Sequence, residues 1–304
     1  MASTIEKALE KLRGGQAETP DSDSVDAVSI SFEQAKNDSH SSPEISTLRE
    51  GVRPEQKTAS RRLNLDLERL AKSGFLTPES GRTQLAEEMR HIKRPLLINA
   101  ANGSAFPERN SNLIMVTSSR PSEGKSYTSL NLAMSIAKER DKTVLLVDAD
   151  VAKPGVTKML NFEAEKGLVD YLVDDSLGLS DVMVRTNVPS FRFIPAGRRH
   201  IHSTELLASE SMMALAQDLS KRYPDRIVLF DSPPLLATSE ASVLAGLVGQ
   251  IVMVVEAEKT TKQELEEALA QIGQNDNQYM GLVLNKARGS FGTDYYGYYG
   301  SYGD

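Results

Sequence analysis

The chain has no cysteine and no tryptophan, and only 6% of its residues are aromatic. Without cysteine there can be no disulfide and no thiolate metal site, which fits a reducing compartment. Long hydrophobic runs are absent too: no apolar stretch approaches the ~20 residues that span a bilayer. The first residues are amphipathic rather than apolar, so no secretory signal is read there. Positive charge is also short. A formal net charge of -7 argues against broad nucleic-acid affinity, which needs a basic face. A cytoplasmic protein with no nucleic-acid partner is the expectation.

What is present is organised around Ser118-Ser119-Arg120-Pro121-Ser122-Glu123-Gly124-Lys125-Ser126. An apolar run (Leu113, Ile114, Met115, Val116) precedes it and a helical pattern (Leu130, Leu132, Ala133, Ile136, Ala137) follows. Strand, tight loop, and helix opening on Gly-Lys-Ser are the parts of a phosphate-binding loop. Its amides and the helix N-terminus face phosphates, Lys125 neutralises the terminal ones, and the Ser126 hydroxyl is a magnesium ligand. The usual pattern has Gly where Ser119 stands.

Residues 3–13 read as a short amphipathic helix. Ser3 and Glu6 have capping-box spacing, and Ile5, Ala8, Leu9 and Leu12 share a face before Gly14-Gly15. Such a helix is marginal alone, and either docks on its own chain or on a partner or membrane. Residues 16–58 are rich in Ser, Asp and Glu with no period, an acidic disordered linker. A weak helical pattern covers 60–72. A second helix is expected from Thr77-Pro78 to Arg94, with Leu85, Met89 and Ile92 inward and Pro95 as its stop. Its charged side carries Glu87, Arg90 and Lys93, which spacing alone reads as solvated.

Apolar runs at 113–116, 144–147, 227–230, 251–255 and 282–284 are continuous, the mark of strands buried on both faces. Helical stretches at 126–139, 205–220, 239–247 and 262–272 separate most of them, and Phe191–Ile194 is a further strand. The fold class is therefore α/β, a doubly wound, mostly parallel sheet. Domain bounds follow as 1–15, 16–58, 59–288 and a tail at 289–304. That tail holds five of the nine tyrosines, Tyr295, Tyr296, Tyr298, Tyr299 and Tyr302, interleaved with glycine.

Two of the strands end in acid: Val144–Val147 in Asp148-Ala149-Asp150, and Ile227–Phe230 in Asp231-Ser232-Pro233-Pro234. Ligands of open parallel sheets bind beyond the carboxyl ends of the strands, so these aspartates reach the edge that carries the phosphate loop. Asp148 and Asp231 suit magnesium, which is held by one or two carboxylates plus phosphate oxygens. Asp150 can accept a proton from an attacking hydroxyl.

Together these residues resemble the bacterial tyrosine kinases, a branch of the P-loop ATPases related to the partition and septum-site ATPases. The resemblance runs from about Thr77 to Ala287, plus the tail. Its phosphate loop is similar to Thr117–Ser126, its second motif to Val144–Pro154 and its third to Ile227–Pro234. It implies ATP and Mg²⁺ as ligands and a nucleotide site over Arg120, Pro121, Ser122, Glu123, Gly124, Lys125, Ser126 and Tyr127. Asn285 stands where relatives contact adenine. It also implies autophosphorylation in trans on the five tail tyrosines, and a ring-like homo-oligomer bridged through Glu87, Arg90 and Lys93. The implied partners are a separate membrane-spanning chain-length regulator that recruits the kinase to the inner face of the membrane, and a tyrosine phosphatase. The implied role is control of exopolysaccharide synthesis and export. Departures are Ser122 in place of Gly, Tyr127 in place of a small hydroxyl residue, Ala152-Lys153 in place of a basic pair, and Lys93 in place of Arg. Arg120 occupies the place of the signature lysine of the partition ATPases. An ATPase of that type, acting as a nucleotide-dependent dimer switch, is the competing reading. A third is an interaction protein with aromatic stickers in its tail.

Overall fold

The computed structural model describes residues 61–103, 110–200, 203–222, 225–273 and 278–287. The expected N-terminal helix, the acidic linker and the tyrosine tail lie outside these residues.

Eight strands form one sheet: β1 (Arg62–Leu63), β2 (Leu113–Ser118), β3 (Thr143–Asp148), β4 (Val184–Thr186), β5 (Phe191–Ile194), β6 (Arg226–Asp231), β7 (Gln250–Glu256) and β8 (Tyr279–Asn285). Their order is β1-β4-β5-β3-β6-β2-β7-β8. All pairings are parallel except β4 with β5. The helices are α1 (Leu67–Lys72), α2 (Gln84–Asn102), α3 (Lys125–Ala137), α4 (Gly155–Met159), α5 (Leu168–Val173), α6 (Leu179–Val182), α7 (Ser203–Leu206), α8 (Glu210–Arg222), α9 (Glu240–Leu247) and α10 (Lys262–Ile272).

The central strands are buried along almost their whole length, as continuous apolar runs require when helices cover both faces. On one face Ile114, Val116, Leu146 and Leu229 pack with Leu130, Met134, Met89 and Leu96 of α3 and α2. On the other, Met115, Leu145, Phe230 and Met253 pack with residues of α5, α8, α9 and α10. Among the described residues no helix is long and apolar enough to cross a membrane.

Three expectations are corrected. Residues 60–72 are not one helix: Arg62–Leu63 pairs with β4, and α1 starts only after Asp66, whose side chain accepts from Arg69 N at 2.8 Å. The second helix starts at Thr83, which caps Ala86 N at 3.2 Å, because Thr77 and Ser80 close a turn on each other. It then runs through Pro95 to Asn102. Pro95 has no N–H to give to the preceding turn, but tertiary anchoring outweighs the loss. Buried Gln250 donates to Leu96 O at 3.0 Å and accepts from Asn99 Nδ2 at 3.1 Å. The third correction concerns β8, which is an edge strand and not buried: Leu282 and Leu284 are 57% and 61% exposed.

Candidate active site

Strand register builds this site. Asp148 and Asp231 are partners at the carboxyl ends of β3 and β6, with β2 on the far side of β6 feeding the loop 119–124 into α3. The following backbone straps the loop's root down: Leu235 N and Leu236 N donate to Ser118 O and Ser119 O at 2.9 and 3.1 Å. Thr117 Oγ1 donates to Pro233 O at 3.0 Å.

The loop turns at Ser122 and Gly124, with φ of 71° and 104°. Gly124 also meets Asn285, whose Nδ2 would lie 2.0 Å from any added Cβ. Glycine there is thus required twice, by conformation and by close approach. Glu123 is 2% exposed and works inside the loop. One carboxylate oxygen accepts from Arg120 N at 2.8 Å and the other from the Thr260 hydroxyl. Asn285 Nδ2 donates to Glu123 O at 2.8 Å, and Lys286 Nζ donates to Ser122 O at 2.7 Å while pairing with Glu256 at 3.2 Å.

Lys125 Nζ lies 2.6 Å from Asp150 Oδ2 and 3.9 Å from Asp231 Oδ2. Burial works to lower the Lys125 pKa, but the charges of Asp231, Asp150 and Asp148 outweigh it and hold the ammonium above its ordinary value. Asp148 Oδ2 accepts from Thr157 N at 2.8 Å and Thr157 Oγ1 at 2.7 Å, leaving Oδ1 buried without a partner. Burial, then the charge of Asp231, push the Asp148 carboxyl up to about 8 against those bonds and Lys125. Asp231 Oδ1 accepts from Ser129 Oγ at 3.0 Å, and its Oδ2 is buried without a hydrogen bond, facing only the Lys125 ammonium at 3.9 Å. Burial raises the Asp231 carboxyl as well, over the opposing charge of Lys125. Such unsatisfied buried oxygens are costly. With the Ser126 hydroxyl, 8% exposed on the residue after Lys125, they form an oxygen-only donor set of the kind magnesium takes beside phosphates. Among the described residues no group of three or more His, Asp or Glu side chains surrounds a common cation position. These residues therefore fit the ion only together with phosphate oxygens.

Lys125, Ser126, Asp148, Asp150 and Asp231 are brought together, as expected from the strand ends. Arg120 is not: its guanidinium leaves the loop for Glu264 at 2.7 Å. Tyr127 also turns away, its hydroxyl donating to Gly74 O at 2.7 Å and its ring 5.1 Å from that of Phe75. Lys93 is corrected. It is not on the solvated side of α2 but 5% exposed, donating to Ser135 O at 2.9 Å and paired with Glu139 at 2.6 Å. Glu87 and Arg90 stay at the surface and pair with each other at 2.5 Å. The five tail tyrosines lie outside the described residues.

Sequence reasoning missed Thr157, which orients Asp148, and Gly155, where a Cβ would meet Ser126 Oγ at 2.3 Å. Both directly follow the Asp-Ala-Asp…Pro motif, so continuing the motif past Pro154 would have found them. Thr260 and Lys286 gave no local signal.

The sequence profile of the AAA domain matches residues 111–281. The chain is 31% identical over 199 residues to the tyrosine-protein kinase CpsD of Streptococcus agalactiae, covering 65% of this chain and 84% of that one. To EpsB of Ralstonia nicotianae it is 34% identical over 199 residues, 66% of this chain but only 26% of EpsB. Among solved structures, the VpsO kinase domain matches with a TM-score of 0.53 at 27% identity, covering 65% of this chain and 98% of that one. Profile, identity and fold agree with the phosphate loop and paired strand-end aspartates: the chain belongs to the bacterial tyrosine-protein kinases, P-loop ATPases related to the partition ATPases.

Proposed function

We propose that this protein-tyrosine kinase uses ATP with Mg²⁺ to phosphorylate Tyr295, Tyr296, Tyr298, Tyr299 and Tyr302 of a neighbouring copy. The observation that carries the reading is the meeting of Lys125, Asp150 and the buried oxygens of Asp148 and Asp231 that accept no hydrogen bond, within one sheet edge. At that same edge β8 ends, with Asn285 bonded to the loop.

Phosphoryl transfer is chiefly positioning and charge neutralisation. The amides around Gly124 and the start of α3 receive phosphate oxygens. Lys125 exchanges its bond to Asp150 for the terminal phosphates, and the raised pKa keeps it cationic. Asp150, released, takes the proton of the tyrosine hydroxyl, whose pKa near ~10 keeps it protonated until the bond forms. The tyrosine oxygen bonds to the γ-phosphorus, the bond from that phosphorus to the bridging oxygen breaks, and ADP leaves. Ser126, Asp148 and Asp231 would hold magnesium, which would supply positive charge beside the transferred phosphate. Thr157 keeps one Asp148 oxygen occupied and the other free. Asn285, beside the loop, would take the adenine contact.

Each phosphate adds roughly −1.5 to −2 charges. Five on one tail repel the acidic chain and favour dissociation of a ring assembled through Glu87 and Arg90. A separate membrane-spanning regulator as activator, a tyrosine phosphatase as its reversal and exopolysaccharide export as its target complete the proposal. It places the kinase at the inner membrane face by recruitment. The test mixes full-length Lys125→Met chain with wild-type chain truncated before Tyr295, adds ATP and Mg²⁺, and maps phosphotyrosine by peptide mass spectrometry. Label on the Lys125→Met tail supports transfer in trans. Phosphate release with no phosphotyrosine in any mixture, full-length wild type included, overturns the kinase reading in favour of a switch ATPase.

A further inference from the structure

We infer that the turns following β3 and β5 form a cationic surface for acidic peptides, which selects acceptor tyrosines flanked by carboxylate side chains. The inference rests on the transfer proposed above for its direction of approach. Six strands of the sheet run in the order β5-β3-β6-β2-β7-β8. Asn285 ends β8, the phosphate loop follows β2, and Asp150 follows β3. A nucleotide laid from Asn285 along the loop to Lys125 presents its last phosphate on the β3 side. A substrate that meets that phosphate at Asp150 enters past β5, the next strand outward.

Both turns at this entry are held in place and carry positive charge. After β3, Lys153 N donates to Asp150 Oδ1 at 3.0 Å and to Asp150 O at 3.1 Å. Lys153 is thus fixed one turn from the carboxylate assigned as base. After β5, the N-terminus of α5 grips the chain: Leu168 N and Val169 N donate to Pro195 O and Ala196 O at 2.8 and 3.0 Å. Asp170 Oδ2 accepts from Arg198 N at 3.1 Å and from Gly167 N at 2.8 Å. The two strands stay paired up to Val147 and Ile194, so the turns leave the sheet as neighbours.

Lys153, Arg198 and Arg199 are all exposed. Arg198 Nε donates to Glu165 O at 2.7 Å, and the Glu165 carboxylate faces Arg61 at 3.5 Å. Among the described residues the Lys153 and Arg199 side chains have no carboxylate partner. Other exposed cations along the same edge are paired, Arg120 with Glu264 and both Lys259 and Lys286 with Glu256. In a chain of net charge -7, two cations left over beside the base offer charge that the protein itself does not use. An extended peptide advances about 3.3 Å per residue, so the residues next to an acceptor tyrosine at Asp150 pass along these turns.

The probes are two labelled synthetic peptides, Gly-Asp-Asp-Tyr-Asp-Gly and its isostere Gly-Asn-Asn-Tyr-Asn-Gly. Binding to the full-length chain loaded with a non-hydrolysable ATP analogue and Mg²⁺ is read by fluorescence anisotropy. The Asp peptide should bind about fivefold tighter or more at low salt, and the difference should shrink as salt rises. Lys153→Gln with Arg199→Gln should bring the two affinities together, while binding of the analogue and of the Asn peptide stays unchanged. Equal binding of the two peptides by the wild type overturns the inference, and so does a preference that survives the double variant. Transfer is read separately, by mass spectrometry of the peptides after incubation with ATP and Mg²⁺. Selective binding without phosphotyrosine on either peptide would overturn the kinase reading alone, because the surface for acidic peptides would stand.

Discussion

Lys125 Nζ and Asp150 Oδ2 stand 2.6 Å apart, both side chains nearly buried. The cation that this loop offers to phosphate is thus held by the carboxylate assigned to deprotonate the acceptor. On the proposed mechanism, phosphates compete with Asp150 for Lys125, and their arrival frees the carboxylate to act as base. Asp150→Asn should therefore bind nucleotide at least as well as wild type by calorimetry, while phosphotyrosine formation falls by roughly 10²–10⁴-fold. Lys125→Met should lose both. Equal loss of nucleotide binding in Asp150→Asn would show that the pair is needed to shape the loop rather than to move a proton.

Asp148 gives a pH dependence with a definite sign. Its carboxyl is raised by burial and by Asp231 from 3.8 to about 8, so across that window the folded state binds more protons than the unfolded one. The contribution of Asp148 to the stability of the metal-free protein therefore falls as pH rises from about 4 toward 8. Thermal unfolding in the presence of a chelator should show Tm decreasing from pH 5 to pH 8. Asp148→Asn should flatten the slope, since the amide carries no proton to lose. Mg²⁺ with nucleotide should raise Tm most at the alkaline end, where the carboxylate is already charged.

Ser122 is a left-handed residue with a side chain, φ 71°, at a position where the family prefers glycine. Such conformations cost a non-glycine residue of order 1 kcal/mol or more. Ser122→Gly should raise stability by about 1 kcal/mol less the added freedom of the unfolded chain, leaving nucleotide affinity unchanged, as read by denaturant unfolding and calorimetry. Gly124→Ala should do the reverse, because the methyl group meets both the wrong φ and the Asn285 amide.

How much of this was legible varied with the range of the physics involved. Runs such as Val144–Val147 and Ile227–Phe230 signal buried strands by themselves, and the aspartates that end them are carried to one edge by topology alone. Thr157 was marked only by its place just past the Asp-Ala-Asp…Pro motif, and the Glu123–Thr260 contact was hidden. Their meaning arises only when α4 folds back over β3 and when the segment after β7 meets the loop. Pro95 misled because a local rule was overruled by Gln250, a residue far along the chain. β8 misled because an apolar run does not reveal whether its sheet has another layer to place on it.

Lys93 separates a fold role from an assembly role on one helix. Spacing groups it with Glu87 and Arg90, yet its ammonium is buried between α2 and α3, bound to Ser135 O and Glu139. Lys93→Ala removes a donor from a buried carbonyl and leaves part of its stem's volume empty, which should cost about 1–3 kcal/mol in denaturant unfolding. The ion pair adds little to that, since Glu139 is 43% exposed and screened by water. Glu87→Ala and Arg90→Ala break only a surface pair, worth about 0–1 kcal/mol, and should leave the unfolding midpoint nearly unchanged while altering sedimentation of the assembled protein. Should Lys93→Ala leave stability untouched and change only sedimentation, the lysine would belong to the interface after all, reaching a neighbour in preference to Glu139.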